Sequence, residues 1–166
     1  MLPRLAEAPL LSTHSHVGTN EMNLKILIAD DHDVVRKGVL SILESRPEWQ
    51  VVYEATNGVE AIEGVKKFSP DITILDISMP EMDGIQAACE IAHQNLNTRV
   101  LIFTMHYSRT LVQAVRNSGA SGYVLKSNAA FELIRAIETL AKGDNFFSSD
   151  REPPNQLNPS RKPLLL

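Results

Sequence analysis

The chain has 166 residues, 43% of them hydrophobic and 22% charged, with a formal net charge of −4. That apolar content suits one domain with a substantial core and not comfortably two. The interspersed charges exclude the basic footprint of a nucleic-acid binder, and the single cysteine, Cys89, excludes both an internal disulfide and a thiolate metal cluster.

Residues 1–21 have no sustained period, and their first apolar run is broken by Glu7 and Pro9 before a signal-peptide core is reached. They read as a disordered extension, with Met22 standing directly before the first regular element. No later stretch approaches ~18 apolar residues, so a soluble, cytoplasmic chain without membrane contact is expected.

From Leu24 onward, short apolar runs alternate with longer segments of helical period, which is the mark of stacked βα units. The runs LKILIA, QVVYEA, DITILD, RVLIFT and GYVL are continuous and rich in Val and Ile, as expected of parallel strands buried on both faces. Between them, Val35, Val39, Ile42 and Leu43 share one helix face, and so do Ala61, Ile62 and Val65. Ile85, Ala88, Cys89 and Ala92 are expected to form the buried face of a third helix, with Cys89 a core residue. Leu111, Val112 and Val115 mark a fourth, and Leu133, Ile134, Ile137 and Leu140 a fifth that ends near Gly143. The prediction is an α/β fold, (βα)5, with a doubly wound parallel five-stranded sheet in the order 2-1-3-4-5, spanning residues 22–147. Residues 148–166 carry Pro153, Pro154, Pro159 and Pro163 and read as a disordered tail with no room for a second domain.

Ligands of such sheets bind outside the carboxyl ends of the strands, where the strand order reverses. The residues there are Asp30 and Asp31 after the first strand, Asp76 after the third, Thr104 after the fourth and Lys126 after the fifth. Like charges ~4 Å apart cost ~4 kcal/mol at an effective dielectric of 20, so three converging carboxylates call for a cation. An all-oxygen donor set suits Mg²⁺, and Lys126 supplies a second positive charge. Taken singly, each residue has a plainer explanation: an Asp-Asp pair ends strands and caps helices, Asp83 and Gly84 mark a turn, and a lone Lys is usually solvated. The histidines, His32 and His106 among them, share no ligand spacing and read as surface or loop residues.

With these residues in place, the chain resembles the receiver domain of two-component response regulators over about residues 24–147. The phrases ADDHDVVRKG, FTMH, GYVLKS and GDNFFSS are similar to NarL/FixJ-type receivers, which normally precede a DNA-binding helix-turn-helix. The resemblance implies that Asp76 is the phosphoacceptor and that Thr104 and Lys126 contact the phosphoryl group. It implies Mg²⁺ held by Asp31, Asp76 and the backbone carbonyl of Ser78, with Asp30 acting mainly through water. It makes Tyr123, three residues before Lys126, the aromatic partner of Thr104 in a switch. A sensor histidine kinase is the implied phosphoryl donor and a homodimer an implied assembly, with no direct DNA contact by this chain. Two features depart from the common pattern: Ser127 follows the lysine where proline is frequent, and bulky Met105 follows Thr104 and is expected to narrow access to the phosphoryl site.

The expected function is the input part of a transcription regulator, not an enzyme beyond its own phosphorylation and dephosphorylation. The alternatives are a stand-alone receiver acting by protein contacts, an interaction module that no longer uses phosphate, and a phosphatase of the haloacid dehalogenase type. The last wants a second acid two residues after its nucleophile, where this chain has Ser78.

Overall fold

The apolar runs become the strands β1 (Leu24–Ala29), β2 (Trp49–Ala55), β3 (Ile72–Leu75), β4 (Arg99–Thr104) and β5 (Gly122–Leu125) of one parallel sheet. The computed structural model describes residues 22–148, so the expectations for the N-terminal arm and for the tail past Ser148 lie outside the described residues. A sixth strand, β6 (Phe146–Phe147), was not foreseen; it extends the order to β2-β1-β3-β4-β5-β6. Phe146 pairs with Gly122 and Phe147 with Tyr123, while the Arg116 guanidinium stacks 3.8 Å above the Phe147 ring.

Successive strand residues point to opposite faces, and each face is covered by its own helices. Leu27, Ala29, Leu75, Ile102 and Tyr123 pack beneath α2 (Gly58–Phe68), α3 (Gly84–His93) and α4 (Arg109–Asn117). Ile26, Ile28, Ile74, Phe103 and Val124 pack beneath α1 (Asp33–Leu43) and α5 (Ala129–Ala141). The segment Lys126–Asn128 is a short 3-10 turn leading from β5 into α5. Among the described residues, no helix is long and apolar enough to cross a membrane.

The buried face of α3 corrects the sequence expectation. Gly84, Ala87, Ala88 and Ile91 face the core, whereas Cys89 and Ala92 are exposed. Small apolar residues occur on several sides of this helix, so periodicity alone leaves its rotation open. The close seating of Gly84 on the backbone after β3 selects the face.

Local chemistry fixes the helix entrances that border the strand ends. Asp83 and Gln86 form a capping box, with the Asp83 carboxylate accepting from the Gln86 N–H at 2.8 Å and the Gln86 side chain accepting from the Asp83 N–H at 3.2 Å. Ser108 caps α4 by accepting from the Leu111 N–H, and Asn57 caps α2 by accepting from the Glu60 N–H. Two further ladder bonds run past the strand ends, from the Asp30 N–H to the Ala55 carbonyl and from the Asp76 N–H to the Ala29 carbonyl. They hold the backbones of both aspartates in register with their neighbours.

Candidate functional site

The strand order reverses between β1 and β3, which are neighbours in the sheet although β2 lies between them in sequence. Ala29 is in register with Leu75, so the next residues, Asp30 and Asp76, emerge side by side at the crevice. Thr104 is in register with Leu125, which brings Lys126 up beside it. Pairing alone therefore gathers four of the five strand-end residues onto one edge, and Asp31 follows Asp30.

The electrostatics match this placement. Asp30 is 2% exposed and Asp76 3% exposed, and the Lys126 ammonium lies 2.6 Å from Asp30 Oδ2 and 3.1 Å from Asp76 Oδ1. Lys126 is thus a buried cation shared by two carboxylates, the opposite of a solvated lysine. Burial first, and the neighbouring Asp30 carboxylate second, hold the Asp76 carboxyl above the ordinary carboxylate range, against the lowering pull of Lys126. One ammonium does not balance Asp30, Asp31 and Asp76. Ligand atoms of these three residues and His32 lie within 4.8 Å of one another, so the residues fit a divalent cation both by charge and by spacing.

Ser78 stands two residues beyond Asp76 on an exposed part of the loop. The Ile77 carbonyl accepts from the N–H groups of Met79 and Gly84, which ties that loop to the first turn of α3. Thr104 is buried at 1% exposure, and its Oγ1 accepts from the His106 N–H at 3.3 Å. Tyr123 is fully buried, with its hydroxyl donating to the His106 carbonyl at 2.5 Å. Burial first and Tyr107 second push the Tyr123 hydroxyl up to about 12. Thr104 and Tyr123 are therefore linked through one residue, His106, at the start of the loop between β4 and α4. Met105 is 66% exposed and borders a hollow of about 250 Å³ with Val34, Phe103 and Lys126.

Two residues at the site were not singled out from the sequence. Arg36 on α1 donates from Nη1 to the Asp30 carbonyl at 2.7 Å, from Nε to Glu54 and from Nη2 to Asp33, which clamps the turn carrying the acidic pair. His32 directs its Nδ1 at the same pair, 3.1 Å from Asp30 Oδ1 and 3.0 Å from Asp31 Oδ1. The available signal for His32 was its position directly after two strand-end aspartates.

A buried aspartate followed by an exposed one, a second buried aspartate after the third strand, a lysine with a buried side chain and a buried hydroxyl on adjacent parallel strands define a receiver-like class of α/β domain. The chain belongs to the response regulator receiver family, matching the response regulator receiver domain over residues 26–138. It is 38% identical over 124 residues to the transcriptional regulatory protein DegU of Brevibacillus brevis, an alignment that covers 75% of this chain and 52% of DegU. Its fold is similar to that of a LuxR-family two-component response regulator from Aurantimonas sp. SI85-9A1, with a TM-score of 0.74 and 37% identity over 78% of this chain and 92% of that one. The isolated receiver of RcsB from Salmonella enterica serovar Typhimurium, solved in the presence of a phosphomimetic, is similar at a TM-score of 0.71 and 30% identity, covering 77% of this chain and 95% of that one. The chain spans about half the length of the curated relatives it matches.

Proposed function

We propose that Asp76 accepts a phosphoryl group from the phosphohistidine of a sensor histidine kinase and that the modification switches protein contacts, as the input part of a transcription regulator. The observation that carries this reading is the buried Asp76 carboxylate, flanked by Asp30 and bridged by Lys126 at the crevice where the strand order reverses. An Asp76 carboxylate oxygen attacks phosphorus, the bond from phosphorus to the donor nitrogen breaks, and the leaving imidazole regains a proton. The product is an acyl phosphate on Asp76. Phosphoryl transfer asks the protein chiefly for positioning and for neutralising charge on the equatorial oxygens. Lys126 does part of this, already sitting 3.1 Å from the nucleophile. Mg²⁺ held by Asp31, Asp76 and the Ser78 carbonyl, with Asp30 through water, would supply the remaining neutralisation.

The readout begins at Thr104. A phosphoryl group on Asp76 adds roughly −1.5 to −2 charges and strong acceptor oxygens. The Thr104 hydroxyl turns toward them, and the His106 N–H that it now accepts follows. The His106 carbonyl holds the Tyr123 hydroxyl, so the displacement reaches the sheet edge where Tyr123 pairs with Phe147 of β6. Dimers of the relative RcsB bind DNA, which supports dimerisation as the output of the corresponding full-length chain.

Incubation with acetyl phosphate and Mg²⁺ tests the reading by intact mass. The expected result is a gain of one phosphoryl group that requires the metal and is absent from Asp76→Asn. An equal gain in Asp76→Asn, or none in the wild type, refutes it.

A further inference from the structure

We propose that Arg36 is a positioning residue for the Mg²⁺ ligand Asp31: its guanidinium fixes the plane of the peptide between Asp30 and Asp31, and through that plane it sets how tightly the site holds the ion. The inference rests on the phosphoryl-acceptor reading of the same crevice.

The two acidic residues are anchored very differently. Asp30 is buried, its N–H donates to the Ala55 carbonyl, and its carboxylate accepts from the His32 N–H and from Lys126. Asp31 lies beyond the strand, with its side chain 33% exposed and paired only with the more exposed His32. The placement of Asp31 therefore depends on the backbone that leads into it. The Asp30 carbonyl shares one rigid plane with the nitrogen and Cα of Asp31. Arg36 Nη1 donates to that carbonyl at 2.7 Å, and no backbone N–H among the described residues does so.

The clamp is itself held firmly. Arg36 Nε donates to Glu54 on β2 at 3.0 Å and Nη2 to Asp33 at 3.1 Å, and the arginine side chain is 14% exposed. One planar fork thus joins α1, the edge strand β2 and the turn after β1. Mg²⁺ demands near-ideal octahedral geometry with bonds of ~2.0–2.1 Å. A peptide plane free to rock swings the Asp31 carboxylate, several bonds further out, beyond what the ion tolerates.

Charge and position act with opposite signs here. Removing a cation from beside three carboxylates would, by charge alone, strengthen Mg²⁺ binding. Loss of the clamp weakens it. The direction of the change therefore identifies the role.

The test titrates the full chain calorimetrically with Mg²⁺ at one fixed pH, in the wild type, Arg36→Met, Arg36→Lys and Asp31→Asn. Lysine keeps the charge, but as a point donor it cannot span a carbonyl and two carboxylates, and it is the milder change should methionine impair folding. Both Arg36 variants should bind Mg²⁺ about tenfold more weakly, as the loss of an outer-shell partner does. Acetyl phosphate labelling should be slowed at Mg²⁺ concentrations near the wild-type Kd and should return to the wild-type rate once Mg²⁺ saturates the variant, a recovery that general damage to the fold would not allow. Unchanged or tighter Mg²⁺ binding in Arg36→Met, wild-type affinity in Arg36→Lys, or a labelling defect that persists at saturating Mg²⁺ overturns the inference. If Asp31→Asn loses the ion in any of those cases, the phosphoryl-acceptor reading stands. A wild type that binds no Mg²⁺ overturns both.

Discussion

Replacing Gly84 by alanine probes the joint between fold and site. A Cβ at residue 84 would lie 2.0 Å from the Asp76 carbonyl oxygen, 2.8 Å from its carbon and 3.1 Å from the Ile77 Cα. All three are backbone atoms, so no side-chain rotation relieves the contact. The Gly84 N–H also donates to the Ile77 carbonyl at 3.0 Å, and Asp83 next to it anchors the capping box of α3. Relief requires lifting the first turn of α3 off the loop that follows β3. Overpacking of this kind costs about 1–3 kcal/mol, a lost hydrogen bond about 1 and a disturbed cap about 1, against a gain of about 1 from replacing glycine in a helix. The net expectation is a loss of about 3 kcal/mol, a large share of the 5–15 kcal/mol typical of a domain. Gly38, in α1, is the control, because a Cβ there would meet nothing within 4 Å. Gly38→Ala should gain roughly 0.5–1 kcal/mol from helix propensity. Urea denaturation of both variants gives the free energies, and acetyl phosphate labelling of folded Gly84→Ala should be slowed because Asp76 itself is displaced. A Gly84→Ala protein within about 1 kcal/mol of the wild type would refute the argument from backbone contact.

Lys126→Met leaves Asp30 and Asp76 buried without their shared cation and should cost about 3 kcal/mol at neutral pH, read from the denaturation midpoint; an unchanged midpoint would show that the ammonium contributes no net stability. The raised pKa of Asp76 gives a second, pH-dependent expectation. A carboxyl whose folded pKa exceeds its unfolded value takes up a proton on folding, so the penalty for its charge is fully present above the folded pKa and fades as pH falls to the unfolded value. Asp76→Asn should therefore be more stable than the wild type at neutral pH, with the difference shrinking as pH drops through the carboxylate range. A difference that does not vary with pH would contradict this account.

The five expected strands and five helices were legible because each is written in a run of neighbouring residues. A continuous Val and Ile stretch has few conformations other than a buried strand, and a stretch such as Leu133 to Leu140 shows its period within two turns. β6 was not legible: two phenylalanines carry no period, and only the open edge of β5 makes them a strand. The rotation of α3 was not legible either, since Cys89 and Ala92 are as apolar as the residues that face the core.

Strand-end chemistry divides along the same line. By itself the chain determined which residues end which strands, because a carboxylate or a lysine interrupting an apolar run is a local event. The convergence of Asp30 and Asp76 with Lys126 at one crevice followed from the expected strand order, but only the tertiary structure decided that this lysine, 96 positions from Asp30, bridges both buried carboxylates and that its side chain is 8% exposed. It also turned His32, a loop histidine in sequence, toward the acidic pair, and set Arg36 behind it as a clamp. The physical reason is range. Periodicity is imposed by residues two to four positions away, whereas the separations that set charge, pKa and ligand geometry depend on the register and packing of elements far apart in the chain, which no local stretch encodes.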